Sequence, residues 1–146
     1  MDEKLLKEVR NDFSWVERDD NILAVLMHGS VITGDDHAKS DVDISVVVPG
    51  ASLFYYDCEG VSDEKADARV ILGKVFRKVN VALKGYDVYI FEELPLYIQA
   101  GMIDSHEIIH TSDKCGLYEY FFNYRKLWDD QKHRNTMTKE ELLAGL

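Results

Sequence analysis

Asp41 and Asp43 stand one residue apart at the head of the apolar run VDISVVV (42–48). In a strand, alternate side chains share a face, so the two carboxylates project together while Val42 and Ile44 turn toward a core. Neighbouring carboxylates repel, and a half-buried one costs free energy unless it is solvated or paired with a cation. The cation that suits such a pair is Mg²⁺, a hard ion held by one or two carboxylates together with substrate phosphates. Upstream, Gly29 and Ser30 close the apolar run ILAVLMH (22–28). Gly29 has no side chain, so a phosphate can approach its backbone closely, while N–H groups and the Ser30 hydroxyl donate to phosphate oxygens. One turn can therefore grip a phosphate tail, and the strand after it can position the metal.

The whole stretch reads G-S-x(3)-G-x(5)-S-D-x-D, with ten residues between Ser30 and Asp41. It resembles the nucleotidyltransferase signature of the DNA polymerase beta superfamily. It is most similar to the small stand-alone members, the minimal nucleotidyltransferases, whose pattern is G-S-x(10)-D-x-D. The resemblance covers roughly residues 20–100 and maps the family's third carboxylate onto Asp87 of GYDVYIFEELP (85–95). It implies transfer of a nucleoside monophosphate, AMP in the first instance, from ATP or another NTP to an acceptor hydroxyl, with release of pyrophosphate. Asp41, Asp43 and Asp87 would then be the catalytic and metal-holding residues for two Mg²⁺ ions, with Asp87 also placed to act as general base. Gly29 and Ser30 would hold the terminal phosphates. Minimal members are often paired with a HEPN-type toxin, which they silence by adding AMP to a tyrosine, and the resemblance implies this antitoxin role. One departure stands out: the loop reads GSVITG, with Ile32 and Thr33 where many relatives carry an arginine. The alternatives are a nucleotidyltransferase acting on a small molecule of antibiotic type, and a catalytically silent binding module.

The elements that must position these residues follow from periodicity. Leu5, Leu6, Val9, Phe13 and Val16 have helical spacing, so residues 3–18 read as one amphipathic helix. Residues 22–28 and 42–48 read as strands, 62–80 as a helix opened by Ser62, and 85–91 as a third strand. Residues 92–102 read as a short helix with Pro95 in its first turn, 107–111 as a fourth strand, and 116–133 and 138–146 as terminal helices. Strands interleaved with helices predict an α/β (α+β) fold, a small mixed sheet flanked by helices. Residues 1–146 form one expected domain, its core over about 20–112 and a C-terminal helical extension over about 114–146.

Composition narrows the partners. A formal charge of −10, from 27 acidic and 17 basic residues, disfavours nucleic acid, whose sequence-independent binding depends on Lys and Arg. It does not disfavour one nucleotide that arrives with a metal ion. Cys58 and Cys115 fit neither a disulfide framework nor a closed zinc site, and together with a charged N-terminus they lead us to expect a cytoplasmic protein with no membrane partner. His28 reads as a packed or capping residue, and His106, His110 and His133 as structural or surface groups. The aromatic series Tyr118, Tyr120, Phe121, Phe122, Tyr124 and Trp128 is too rich for one narrow face, which adds a homodimer or partner surface to its expected core role.

Overall fold

The structure, a computed structural model, describes residues 3–28, 42–51 and 68–135, with side chains as far as Lys132. Gly29, Ser30 and Asp41 lie outside these residues, as do Cys58 and the expected helix over 138–146. Four strands, β1 (Ala24–His28), β2 (Val42–Val47), β3 (Tyr86–Ile90) and β4 (Glu107–Thr111), form one sheet in the order β3-β2-β1-β4. β1 runs antiparallel to β2 and β4, and β2 runs parallel to β3, so the sheet is mixed. The described helices are α1 (Glu3–Asp12), α2 (Ala68–Lys78), α3 (Val81–Lys84), α4 (Leu96–Asp104) and α5 (Lys114–Asn135).

Strand position explains strand composition. β1 is central, covered on both faces and buried throughout, and it reads as a continuous apolar run. The edge strand β4 mixes buried and half-buried residues, and β3 adds the exposed Tyr89. One face of the sheet presents Val25, Met27, Ile44 and Val46 to Val9, Phe13, Ile71 and Val75 of the α1/α2 side. The other face presents Ala24, Leu26 and Val47, with Phe91, to Met102 of α4 and to Leu117, Phe121 and Tyr124 of α5. Phe91 is the hub of that second core, with ring centroids 5.4 Å from Phe121 and 5.0 Å from Tyr124.

The helix expected over 62–80 is described over Ala68–Lys78, Ser62 lying outside the described residues, and a short helix over Val81–Lys84 follows it. Two further boundaries differ from the sequence expectation. The helix expected over 3–18 breaks at Phe13, whose backbone (φ −105°, ψ 12°) leaves the α region, and the chain continues as a 3₁₀ turn over Ser14–Arg18. Val9, Phe13 and Val16 remain buried across the break, which is why their spacing resembles one helix. In the segment 92–102, Phe91–Glu93 forms a 3₁₀ turn and Pro95 becomes the N-cap of α4, its carbonyl accepting from Ile98 and Gln99 at 3.0 Å.

A single turn sets the register of β3 on β2. Asn80 caps α3 by accepting from the Leu83 N–H at 3.2 Å, and Gly85 ends it in the left-handed region at φ 70°. The Gly85 carbonyl then accepts from the Val42 N–H at 3.0 Å, starting the parallel ladder.

Candidate active site

The ladder opened by Gly85 pairs Asp43 of β2 directly with Asp87 of β3. Paired residues on neighbouring parallel strands share a face, so the two side chains project to the same side from strands about 4.8 Å apart. Both are half-buried and sit at the leading ends of their strands. Of the five site residues expected from sequence, the structure brings these two together. Gly29, Ser30 and Asp41 fall outside the described residues.

His28, the last residue of β1, pairs with Asp43 from the other side. It is buried, and burial, aided by the charge of nearby His106, pushes its pKa down to about 4, so the ring is neutral near pH 7. The fully buried Ser45 hydroxyl donates to Met102 Sδ of α4 at 3.2 Å, and its oxygen takes the Nε2–H of His28 at 2.8 Å. His106 in turn donates from Nδ1 to the Met102 carbonyl at 2.7 Å. α4 thus braces, through Met102, the neutral His28–Ser45 pair that forms the floor beneath Asp43.

Alternation along β3 places Tyr89 on the face of Asp87. It is 40% exposed, with its ring centroid 6.5 Å from that of His28. Tyr86, on the opposite face, donates to Asp12 Oδ2 at 2.6 Å and packs against Phe13. The same alternation in the sequence could have singled out Tyr89.

The fit to a divalent ion rests on this donor set. Two adjacent, half-exposed carboxylates of like charge are hard oxygen ligands whose repulsion a cation relieves. Among the described residues no third His, Cys, Asp or Glu completes a metal-holding group with them. The third donor expected from sequence is Asp41.

Periodicity missed Glu92. It lies half-buried in the turn after β3, with Oε1 accepting from the Val48 N–H at 2.9 Å and Oε2 accepting from the Tyr120 hydroxyl. Burial pushes its pKa up to about 7 against the pull of those two donors. On α5, Phe121 and Tyr124 are core, whereas Tyr118 and Phe122 are 47% and 66% exposed. Cys115 is an exposed free thiol. No helix among the described residues is long and apolar enough to cross a membrane.

Comparison with known proteins places this geometry. Residues 14–115 match the family model described as polymerase beta, nucleotidyltransferase. A Methanocaldococcus jannaschii protein, provisionally named protein adenylyltransferase MJ1547, is 34% identical over 113 residues, spanning 77% of this chain and 75% of that protein. A chain of a toxin–antitoxin crystal structure with AMP-PNP superposes with a TM-score of 0.59 at 13% identity, over 86% of this chain and 90% of its own. A chain from a complex of tri-AMPylated Shewanella oneidensis HEPN toxin with MNT antitoxin superposes with a TM-score of 0.57 at 11% identity, over 88% and 91%. At those identities the superpositions speak for the fold alone.

Proposed function

This chain belongs to the polymerase beta nucleotidyltransferase family, and from that premise we propose that it transfers AMP from ATP to a hydroxyl of a partner protein. The observation that carries the reading is the in-register pairing of Asp43 with Asp87 at the leading edge of the sheet. The name of the M. jannaschii relative supports a protein acceptor, and the tri-AMPylated HEPN toxin in one structural neighbour supports a HEPN-type toxin as that protein.

In this mechanism Asp43, with Asp41, would hold the divalent ion that accompanies the phosphates, and Asp87 faces the incoming acceptor. Mg²⁺, when bound, supplies the positive charge that neutralises the attacking and leaving oxygens of an in-line displacement. The acceptor hydroxyl passes its proton to the Asp87 carboxylate as its oxygen bonds to the α-phosphorus, and the bond to pyrophosphate breaks. Gly29 and Ser30 cradle the departing phosphates. Neutral His28, tied to Ser45, keeps the floor rigid and adds no cation to compete for the acids. Catalysis is then mostly positioning and charge neutralisation.

The test is to mix the protein with ATP, Mg²⁺ and the product of the adjacent gene, and to weigh both proteins. A partner heavier by whole AMP units, with no gain when Asp43→Asn replaces the parent, is expected. An unmodified partner, or AMP transfer that persists in Asp43→Asn, overturns the reading. Modification of a small aminated sugar in place of the protein would move the activity to the small-molecule class.

A further inference from the structure

The α1/α2 side of the sheet, opposite Asp43 and Asp87, holds a cavity of about 710 Å³ between the 3₁₀ turn Ser14–Arg18 and α2. Trp15, Arg18, Asp19, Lys74, Arg77 and Lys78 form most of its wall. Its charge contrasts with that of the chain. Four cations face two carboxylates, Glu17 and Asp19, in a protein whose net charge is −10.

One carboxylate is already paired within the wall, and the other turns largely to solvent. Asp19 bonds Lys74 at 2.9 Å through Oδ2 and accepts from the Asn21 N–H at 3.0 Å through Oδ1. Glu17, 68% exposed, has its nearest basic neighbour in His110, at 4.0 Å. Arg18, Arg77 and Lys78 form no ion pair among the described residues. A place in the last turn of α2 favours Arg77 and Lys78 through the helix dipole, but it does not account for Arg18, which meets them from a different element. Bringing three like charges to one hollow costs repulsion that an anion would remove.

Arginine and lysine only donate hydrogen bonds, so the occupant must be rich in acceptors. The volume lies within the range of small-ligand pockets, roughly 300–1,000 Å³. An extended polyanion would meet the acidic remainder of the surface, so a compact one is favoured. Trp15 adds a flat, half-buried indole on which a ring could lie. We propose that this cavity is a metal-independent site for a small polyphosphate anion, free or carried by a nucleotide, and distinct from the acid pair. The proposal does not depend on the reaction assigned above.

The cavity contains its own reporter, because the chain has two tryptophans, Trp15 and Trp128. In a Trp128→Phe background, Trp15 fluorescence is titrated with pyrophosphate, tripolyphosphate, ATP, ADP and sulfate in excess EDTA. Removing metal leaves Asp43 and Asp87 repelling any phosphate, so the active-site contribution is suppressed. Expected is a saturable change with the polyphosphates, weakened by salt, retained in Asp43→Asn, and weakened at least about tenfold by Arg77→Glu with Lys78→Glu. The exposed pair Arg77→Gln with Lys78→Gln is the milder variant, and circular dichroism confirms that either pair is folded. A response to ATP and ADP alone would assign part of the binding to a base against Trp15; a response to all polyphosphates would assign it to the phosphates. No saturable change, an equal response to sulfate, or indifference to both charge variants overturns the site.

Discussion

The two ends of the β2–β3 pair treat carboxylates in opposite ways. At the leading end Asp43 and Asp87 sit side by side, half-exposed, on a floor of neutral groups. At the far end, in the turn after β3, Glu92 is also half-buried, but it receives two donors from within the fold, the Val48 N–H and the Tyr120 hydroxyl. The Glu92 end solves its electrostatic problem inside the fold, by hydrogen bonds and by a pKa raised to about 7. The Asp43/Asp87 end keeps two carboxylates in register and half-exposed, where a cation can reach both. The difference teaches which acids stabilise the structure and which stand ready for a ligand: one kind should cost stability when removed, and the other should cost only activity.

The largest effect expected tests the leading end. Asp43→Asn or Asp87→Asn should lower AMP transfer by about 10³-fold, ~4 kcal/mol of transition-state stabilisation, while the melting temperature without metal stays level or rises as the repulsion is relieved. Single-turnover transfer and thermal melts read the two sides. Equal losses of stability at both ends would erase the contrast.

Glu92→Ala should do the reverse. It leaves the Val48 N–H and the Tyr120 hydroxyl without their acceptor, at about 2–4 kcal/mol of folding stability, with transfer by the remaining folded protein near parental. Denaturant melts and folded-fraction-corrected rates check this. The pH dependence sharpens it. A carboxyl whose folded pKa lies above its unfolded value favours the folded state most below about pH 4.5, and that contribution is lost as pH rises toward about 7. The span is about 3 kcal/mol. Glu92→Gln cannot titrate, so the stability difference between parent and Glu92→Gln should drift by about that amount between pH 4.5 and 7, the parent losing ground as pH rises. A constant difference would mean that Glu92 is not buried as an acid.

This contrast was only half legible in the sequence. The apolar runs at 22–28 and 42–48 marked central strands because a strand covered on both faces has no polar side to show. Alternation also gave the faces of Asp43 and Asp87 relative to their own neighbours. Their meeting was expected only through the family resemblance; periodicity could not give it, because it depends on a register set across more than forty residues by the Gly85 turn. Glu92 was hidden for another reason: a Glu in Glu-Glu-Leu-Pro resembles an exposed helix start, and only the packing of Tyr120 from α5 makes it an internal acceptor. The break at Phe13 escaped because Val9, Phe13 and Val16 keep helical spacing on both sides of it. The basic hollow was illegible because Arg18 and Arg77, each an ordinary surface cation in the sequence, become neighbours only in the fold.

The smallest effect expected asks whether the leading end depends on register as well as on charge. Gly85 adopts φ 70°, where a Cβ costs roughly 1–2 kcal/mol, and its carbonyl bonds the Val42 N–H one residue before Asp43. Gly85→Ala should therefore lose about that much stability, a modest change beside Glu92→Ala. If the strain is relieved by letting the turn slip, Asp87 moves relative to Asp43, and a displacement of about 1 Å can cost about 10²-fold in rate. Transfer should then fall further than folding stability. Asn tolerates the left-handed region better than Ala, so Gly85→Asn should recover rate and stability together. If Ala and Asn lower transfer equally while differing in stability, the turn supports the fold alone, and the spacing of the two acids is set elsewhere in the ladder.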